Sequence, residues 1–233
     1  NTMSIHRTQD DVRVEMESAM GPELGGLFFL LWHDLTWLNF EWGEYVELFG
    51  TDDVRFEIMN EAAPRFFWSL DRVLWQDVLL SISRLADPPA TKGQQNLTLR
   101  RLLAAVPESG PREELAAALD KFELAAQFAR GWRHGLLAHR NLDHAAAPEL
   151  HPLPVASRAS VAAALEAAAD VMNLLDAHYR DTTNAYNTRG GAPDGAFQLL
   201  LVLDRGLEAQ KEDESARALW QSRLWRKQQP RAV

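Results

Sequence analysis

The sequence predicts an all-α protein, a single bundle of about five to seven helices. Apolar residues recur at helical spacing along almost the whole chain, and no segment shows the strict apolar–polar alternation of a half-buried strand. Prolines and glycines fall between the periodic segments, where helices begin or end. No internal repeat and no long linker divides the chain. One domain over residues 1–233 is therefore expected, with an N-terminal helix and a basic C-terminal helical tail.

The first three helices are predicted from their caps and breaks. The first lies within 6–19, and the second runs from about 22 to 49. A third begins near Thr51, where two aspartates follow a residue favoured at helix N-termini. It extends to Leu85 with a kink or break at Pro64, because proline lacks the N–H that the helical ladder needs.

The second half of the chain is divided in the same way. Asp87-Pro88-Pro89 ends the third helix, because proline biases the preceding residue away from helix, and a loop follows. Pro111 opens a later helix as its first residue, with two glutamates near its positive end. The remaining predicted helices span about 97–106, about 157–183 and about 194–226.

Composition limits the classes of function open to the chain. Cysteine is absent, which excludes thiol nucleophiles, disulfides and thiolate metal sites and fits a reducing cytoplasm. The net charge of −9 gives no general cationic field for nucleic acid, although a local cationic cleft is compatible with it. The most apolar run (27–40) is interrupted by His33 and Asp34, and the N-terminus lacks a signal-peptide pattern. We therefore expect a cytoplasmic protein without membrane association.

One stretch concentrates the polar chemistry of the chain: GWRHGLLAHRNLDHA (131–145). It holds three of the seven histidines and two arginines. The helix expected from Pro111 carries an apolar stripe, which consists of Leu115, Leu119, Phe122, Ala126 and Ala129. Arg133 takes the next position on that stripe. It therefore needs a partner, because an unpaired buried guanidinium is very costly.

An adjacent stripe of the same helix leads through two glycines to His139. On a straight α-helix Arg133 and His139 would lie about 120° apart around the axis and about 9 Å apart along it. A bend near Gly135 would reduce that separation. Structural alternatives stay open, because Arg133 also fits an ion-pair partner near a helix end, while His134 and His144 fit surface residues.

A metal site is a further alternative. His139 and Asp143 are four residues apart, which places two ligand types on one helix face. Other helices would have to complete such a site, as in helical-bundle metal proteins, and the candidates are His33, Asp34 and His178. The chain has no HExxH motif and no second clear ligand pair, so the sequence predicts no metal and no cofactor.

The segment Arg133-His134-Gly-Leu-Leu-Ala-His139 resembles the signature of the HEPN superfamily (higher eukaryotes and prokaryotes nucleotide-binding domains). That signature is an arginine, often a polar residue next, and a histidine after a few more residues; His134 takes the polar place. LLAHRN is similar to the ending found in the branch related to phage abortive-infection proteins. LLSISRLADPPATKGQQNLTLRRLL resembles that branch's helix, Asp-ended loop and short helix. The resemblance covers about 60–190, and Asn141 departs from the aspartate common there.

This resemblance implies a HEPN-like helical domain that acts as a metal-independent endoribonuclease, with arginine and histidine from two chains facing each other across a homodimer. It implies His139 as the acid/base and Arg133 as the phosphate stabiliser, with His134 and Arg140 as substrate-binding candidates. The residue types suit the chemistry, because histidine titrates near neutral pH and arginine offers fixed donors to a phosphate. The face of Gly131 and Gly135, with exposed tryptophans, would then form the dimer contact.

The partners that follow are an RNA substrate and, for a toxin or phage-defence component, an antitoxin protein. The main alternative is a non-catalytic HEPN-like binding or scaffold dimer, which the acidic net charge favours. The two differ in the surroundings of Arg133 and His139. An open cleft shared with the symmetry mates indicates an enzyme, whereas burial against acidic partners indicates a structural pair.

Overall fold

The computed structural model of the chain describes residues 8–50, 53–137, 142–147, 149–186 and 194–212. Its α-helices are α1 (Gln9–Met20), α2 (Pro22–Phe49), α3 (Asp53–Ala62), α4 (Pro64–Leu85), α5 (Arg101–Ala105), α6 (Arg112–Ala125), α7 (Gln127–Trp132), α8 (Leu142–Ala146), α9 (Arg158–Arg180) and α10 (Ala196–Glu212). A π-helix (Arg133–Leu137) follows α7, and two short strands, β1 (Ala90–Thr91) and β2 (Gln94–Gln95), lie between α4 and α5. The all-α class predicted from the sequence is confirmed.

Helix boundaries follow the local signals of the sequence. The Thr8 hydroxyl accepts a hydrogen bond from the Asp11 N–H at 3.2 Å, and the Asp11 carboxylate accepts one from the Thr8 N–H at 2.9 Å, which starts α1. Ser157 and Ser160 start α9 in the same reciprocal way. The predicted break at Pro64 is confirmed, since α3 ends before it and α4 begins at it.

Two parts of the described chain differ from the prediction. The helix expected from Pro111 into the polar stretch is divided into α6, α7 and the π-helix. The loop after Pro89 contains the two paired strands, which the absence of strand-like alternation did not indicate. The predicted last helix is described as α10 to Glu212, and its expected continuation lies outside the described residues.

The chain divides into two compact units, and the larger consists of Asn1–Gly43 and Val73–Arg189. Within it α6 packs along α9, and α1 also contacts α9. The side chains buried along the first of these pairs are Leu115, Leu119 and Phe122 of α6 and Val161, Ala164, Leu165, Ala168, Val171 and Met172 of α9. Removal of this apolar surface from water is the main force that holds the larger unit together.

The second unit consists of Glu44–Arg72 and Gly190–Val233, and its described part packs α10 against α3. The Glu44 carboxylate accepts a hydrogen bond from the Ala196 N–H at 2.6 Å, which places a negative charge at the N-terminus of α10. Met59 and Leu200 are buried in this unit. The single domain predicted from the sequence stays a prediction.

Over the ranges that the structure describes, no helix has both the length and the apolar character needed to cross a bilayer.

The packing of α6 predicts different costs for two leucines of the same helix. Leu119 is fully buried and Leu124 is 67% exposed. We expect Leu119→Ala to lower the free energy of unfolding by about 2–5 kcal/mol, because it leaves a cavity in the core. Leu124→Ala should change it by less than about 0.5 kcal/mol. Urea unfolding of the two variants measures this, and similar midpoints for both would contradict the packing of α6.

Candidate functional site

Arg133 lies where the sequence placed it, at the end of a buried apolar stripe. The five apolar residues predicted for that stripe are all buried. The Nη1 atom of Arg133 forms an ion pair with Oδ2 of Asp87, which lies two residues after the end of α4. The Arg133 side chain is 30% exposed and that of Asp87 is 18% exposed. Asp87 is therefore the partner that this position requires, and the pair remains open to solvent.

The backbone changes character at Arg133. Residues Arg133–Leu137 form a π-helix, whose turns are wider than those of an α-helix. The separation of about 120° and 9 Å between Arg133 and His139 was stated for a straight α-helix, and the π-helix over Arg133–Leu137 departs from that geometry. His139 and Arg140 lie outside the described residues, and their roles stay predictions.

The two glycines of this segment contact the connector that precedes α9. A Cβ atom at Gly131 would collide with the ring of Pro154, and one at Gly135 would collide with the side chain of Leu153. The indole N–H of Trp132 also donates a hydrogen bond to the Pro154 carbonyl at 2.8 Å. The prediction that this glycine face forms a dimer contact is therefore wrong, because the chain's own connector covers it.

His134 is held in one ring orientation. Its Nδ1 atom lies 2.7 Å from the carbonyl oxygen of Arg130. A carbonyl only accepts, so Nδ1 is the donor in this contact. In the neutral tautomer that fits it, Nε2 is the acceptor that faces a ligand. His144 makes a comparable contact with the His151 carbonyl at 2.8 Å, which ties α8 to the connector.

A two-stranded hairpin faces this segment. Strands β1 and β2 pair antiparallel, and the turn residues Lys92 and Gly93 have φ values of 50° and 83°. Two consecutive positive φ angles are typical of the tight turn that matches strand twist. The Asn96 side chain donates to the Pro88 carbonyl at 2.8 Å and to the Thr91 hydroxyl at 2.9 Å, and so closes the base of the hairpin.

An open cleft of about 590 Å³ lies between the hairpin and the segment from Arg130 to His134. Its charged lining residues are Lys92, Arg130, Arg133 and Asp87, and His134 also lines it. Three cationic side chains and one carboxylate make this cleft locally positive in a chain whose net charge is −9. A cleft with this lining suits a ligand that carries phosphate groups, because arginine donates fixed pairs of hydrogen bonds to phosphate oxygens.

The residues proposed for a metal site do not assemble within the described part of the chain. Over those residues, no group of three or more potential ligands is placed to hold a metal ion. His33 Nε2 instead accepts a hydrogen bond from the Trp37 indole at 3.2 Å, and His178 lies edge-on to Tyr179. His139 and the side chain of Asp143 lie outside the described residues.

Three of the residues that shape this cleft were not predicted from the sequence as part of a site. Asp87 was predicted to end a helix but not to pair with Arg133. No role was predicted for Arg130 or Lys92. The available signals were the spacing of Arg130 and Arg133, which places two cations one helical turn apart, and a Lys-Gly pair between two short polar segments.

Comparison with known families adds one finding. The family model HEPN_AbiU2, described as AbiU2, matches residues 21–191. This range contains Asp87, the hairpin and the Arg133–His139 segment, and it confirms the resemblance seen in the sequence. No curated protein and no solved structure matches the chain.

The tight contact at Gly131 predicts that an added methyl group destabilises the protein. Gly131→Ala would force the Pro154 ring away, and such overpacking costs about 1–3 kcal/mol. Gly206→Ala is the matched control, because nothing lies within 4 Å of a Cβ there. It should stabilise the helix by roughly 0.5–1 kcal/mol. The midpoint of thermal unfolding should therefore fall for Gly131→Ala and rise for Gly206→Ala. Equal stabilisation by both substitutions would contradict the contact between Gly131 and Pro154.

Proposed function

We propose that this chain, which belongs to the HEPN_AbiU2 family, is a metal-independent endoribonuclease. In this proposal Arg133 and His139 act in a composite site formed by two copies of the chain. The observation that carries the proposal is the locally cationic cleft, in which Arg133 is fixed by Asp87 and remains partly exposed. Membership in the family supports a HEPN-like function in general, and the chemistry of the cleft favours a phosphodiester substrate.

Arg133 suits the binding of a scissile phosphate. Its contact with Asp87 uses Nη1 alone, whereas the guanidinium carries five N–H donors in a planar fork. The donors not engaged by Asp87 are available for phosphate oxygens. The carboxylate holds the guanidinium in place before substrate binds, so little side-chain freedom is lost on binding. As charge develops on the phosphate in the transition state, these donors stabilise it.

The proton transfers are assigned to histidine. Cleavage without a metal starts when the ribose 2′-OH attacks the adjacent phosphorus and the 5′-oxygen of the next nucleotide leaves. A base takes the proton from the 2′-OH, and an acid supplies one to the leaving oxygen. His139 serves as this acid/base, and a symmetric dimer supplies two such residues. His134, with Nε2 free to accept, and Arg140 are the proposed substrate-binding residues.

The biological role proposed with this activity is that of a toxin or phage-defence component. An RNA-cleaving protein of this kind requires control, which a partner antitoxin protein would provide. The homodimer follows from the same proposal, because one chain carries one Arg133 and one His139.

A second candidate function is favoured by one observation. The ion pair between Arg133 and Asp87 is the arrangement expected of a structural arginine at the end of a buried stripe. If Arg133 serves only this purpose, the chain is a non-catalytic HEPN-like binding or scaffold dimer. Cleavage assays separate the two candidates.

We expect the wild-type protein to cleave total RNA in the presence of EDTA. His139→Ala should slow cleavage by at least about 100-fold, because it removes the proton carrier. Arg133→Ala should reduce it by a similar factor, since phosphate stabilisation is lost. The measurement is the rate at which full-length RNA disappears from a gel over time.

His33→Ala is the matched control, because it removes a histidine outside the cleft. It should cleave at the wild-type rate. Full activity of both Arg133→Ala and His139→Ala would exclude the proposed site. Absence of cleavage by correctly folded wild-type protein on any RNA supplied would favour the binding module.

A further inference from the structure

Arg130 differs from the other half-buried arginines of the described ranges, because no described residue pairs with its side chain. Its side chain is half-buried, yet among the described residues no acceptor contacts its guanidinium. Each of the other half-buried arginines in the described ranges donates to a carboxylate, a side-chain amide or a backbone carbonyl, and these are Arg55, Arg100, Arg101, Arg112, Arg133 and Arg180. A partly desolvated cation gains most from an anionic ligand.

Arg130 lies in the same cleft as Arg133. Arg130 precedes Arg133 by three residues, a spacing at which helical Cβ atoms lie about 5–6 Å apart. Both arginines line the cleft, and Lys92 lines it from the hairpin turn. The backbone carbonyl of Arg130 is bonded by His134 at 2.7 Å, which secures the main chain at this position.

The charges of the cleft exceed what one phosphate requires. Arg133 already has the Asp87 carboxylate as a counter-charge, whereas no acidic side chain of the described residues forms an ion pair with Arg130 or Lys92. These two cations are therefore available to a second anionic group of the ligand. A volume of about 590 Å³ is within the range of clefts that hold a small ligand, which matches a short single-stranded segment.

We propose that Arg130 and Lys92 form a second phosphate subsite beside Arg133, so that the substrate is a single-stranded oligonucleotide gripped through two neighbouring phosphates. Arg133 contacts the scissile phosphate, and Arg130 and Lys92 contact the phosphate of the flanking nucleotide. This inference rests on the proposed function for the role of Arg133. It adds the requirement that the substrate carry two neighbouring phosphates, which the proposed function alone does not make.

The test compares ligands with one and two phosphates. The probes are a 2′-O-methyl dinucleotide with one internal phosphate and a 2′-O-methyl trinucleotide with two, neither of which has a 2′-OH for cleavage. Each competes against a fluorescein-labelled 2′-O-methyl RNA bound to the full-length protein, followed by fluorescence anisotropy. The proteins are wild type, Arg130→Gln, Lys92→Ala and the control Arg205→Gln, an exposed arginine of α10.

We expect the wild type and Arg205→Gln to bind the trinucleotide about tenfold more tightly than the dinucleotide, as for one added charge-assisted contact. Arg130→Gln and Lys92→Ala should bring that ratio close to one while leaving dinucleotide affinity nearly unchanged. The salt dependence of the labelled RNA should also fall, by roughly 0.7 in log–log slope per lost phosphate contact. Lys92 lies exposed in the hairpin turn, so its variant tests the subsite if Arg130→Gln folds poorly.

If both variants keep the wild-type ratio of trinucleotide to dinucleotide affinity, the subsite is overturned. It is also overturned if the wild-type protein binds neither probe. Displacement of both probes by inorganic phosphate at equal concentration would also overturn it, since it would indicate a site for free anions. The two proposals fail separately. If the variants lose the preference for the trinucleotide but the wild type does not cleave RNA, the subsite stands and the proposed enzyme activity fails. If cleavage depends on Arg133 and His139 but the variants keep that preference, the enzyme activity stands and the subsite fails.

Discussion

The ion pair between Arg133 and Asp87 is the contact on which the candidate site depends. It joins residues 46 positions apart, the start of the π-helix and the turn after α4. Because the hairpin begins directly after Asp87-Pro88-Pro89, the same contact places Lys92 across the cleft from Arg130. Loss of either partner would leave a partly buried charge without its counter-ion, which is costly. The geometry of the cleft and the stability of this region therefore both depend on this interaction.

The same pair explains how an acidic protein presents a cationic surface. The chain carries a net charge of −9, and outside the cleft the half-buried Arg55, Arg100 and Arg180 are each paired with a carboxylate. Among the described residues that line the cleft the ratio reverses, since one acidic side chain, that of Asp87, lies beside three cations. A local excess of this kind attracts an anion at short range, while the overall charge repels nucleic acid that does not fit. Charge thus favours selective binding over general coating.

Much of the fold was predictable because local signals decide it. The bounds of α2, the break at Pro64 and the buried stripe that ends at Arg133 follow from periodicity and proline chemistry. The site was less predictable, because it depends on contacts between distant segments. The stripe showed that Arg133 needs a partner, but nothing local identified Asp87. The glycines at 131 and 135 indicated close approach, but spacing does not reveal that Pro154 and Leu153 are the neighbours. The π-helix had no sequence signal that periodicity could detect.

In the proposed reaction, RNA is cleaved by attack of its own 2′-OH at a phosphate held by Arg133. The most direct measurement is the chemical nature of the fragment ends produced in EDTA, determined by mass spectrometry of a short defined RNA. We expect fragments that end in a 2′,3′-cyclic phosphate and begin with a 5′-OH, and no cleavage where the attacking nucleotide is 2′-deoxy. Fragments with a 3′-OH and a 5′-phosphate would contradict it, because they require water rather than the 2′-OH as the nucleophile.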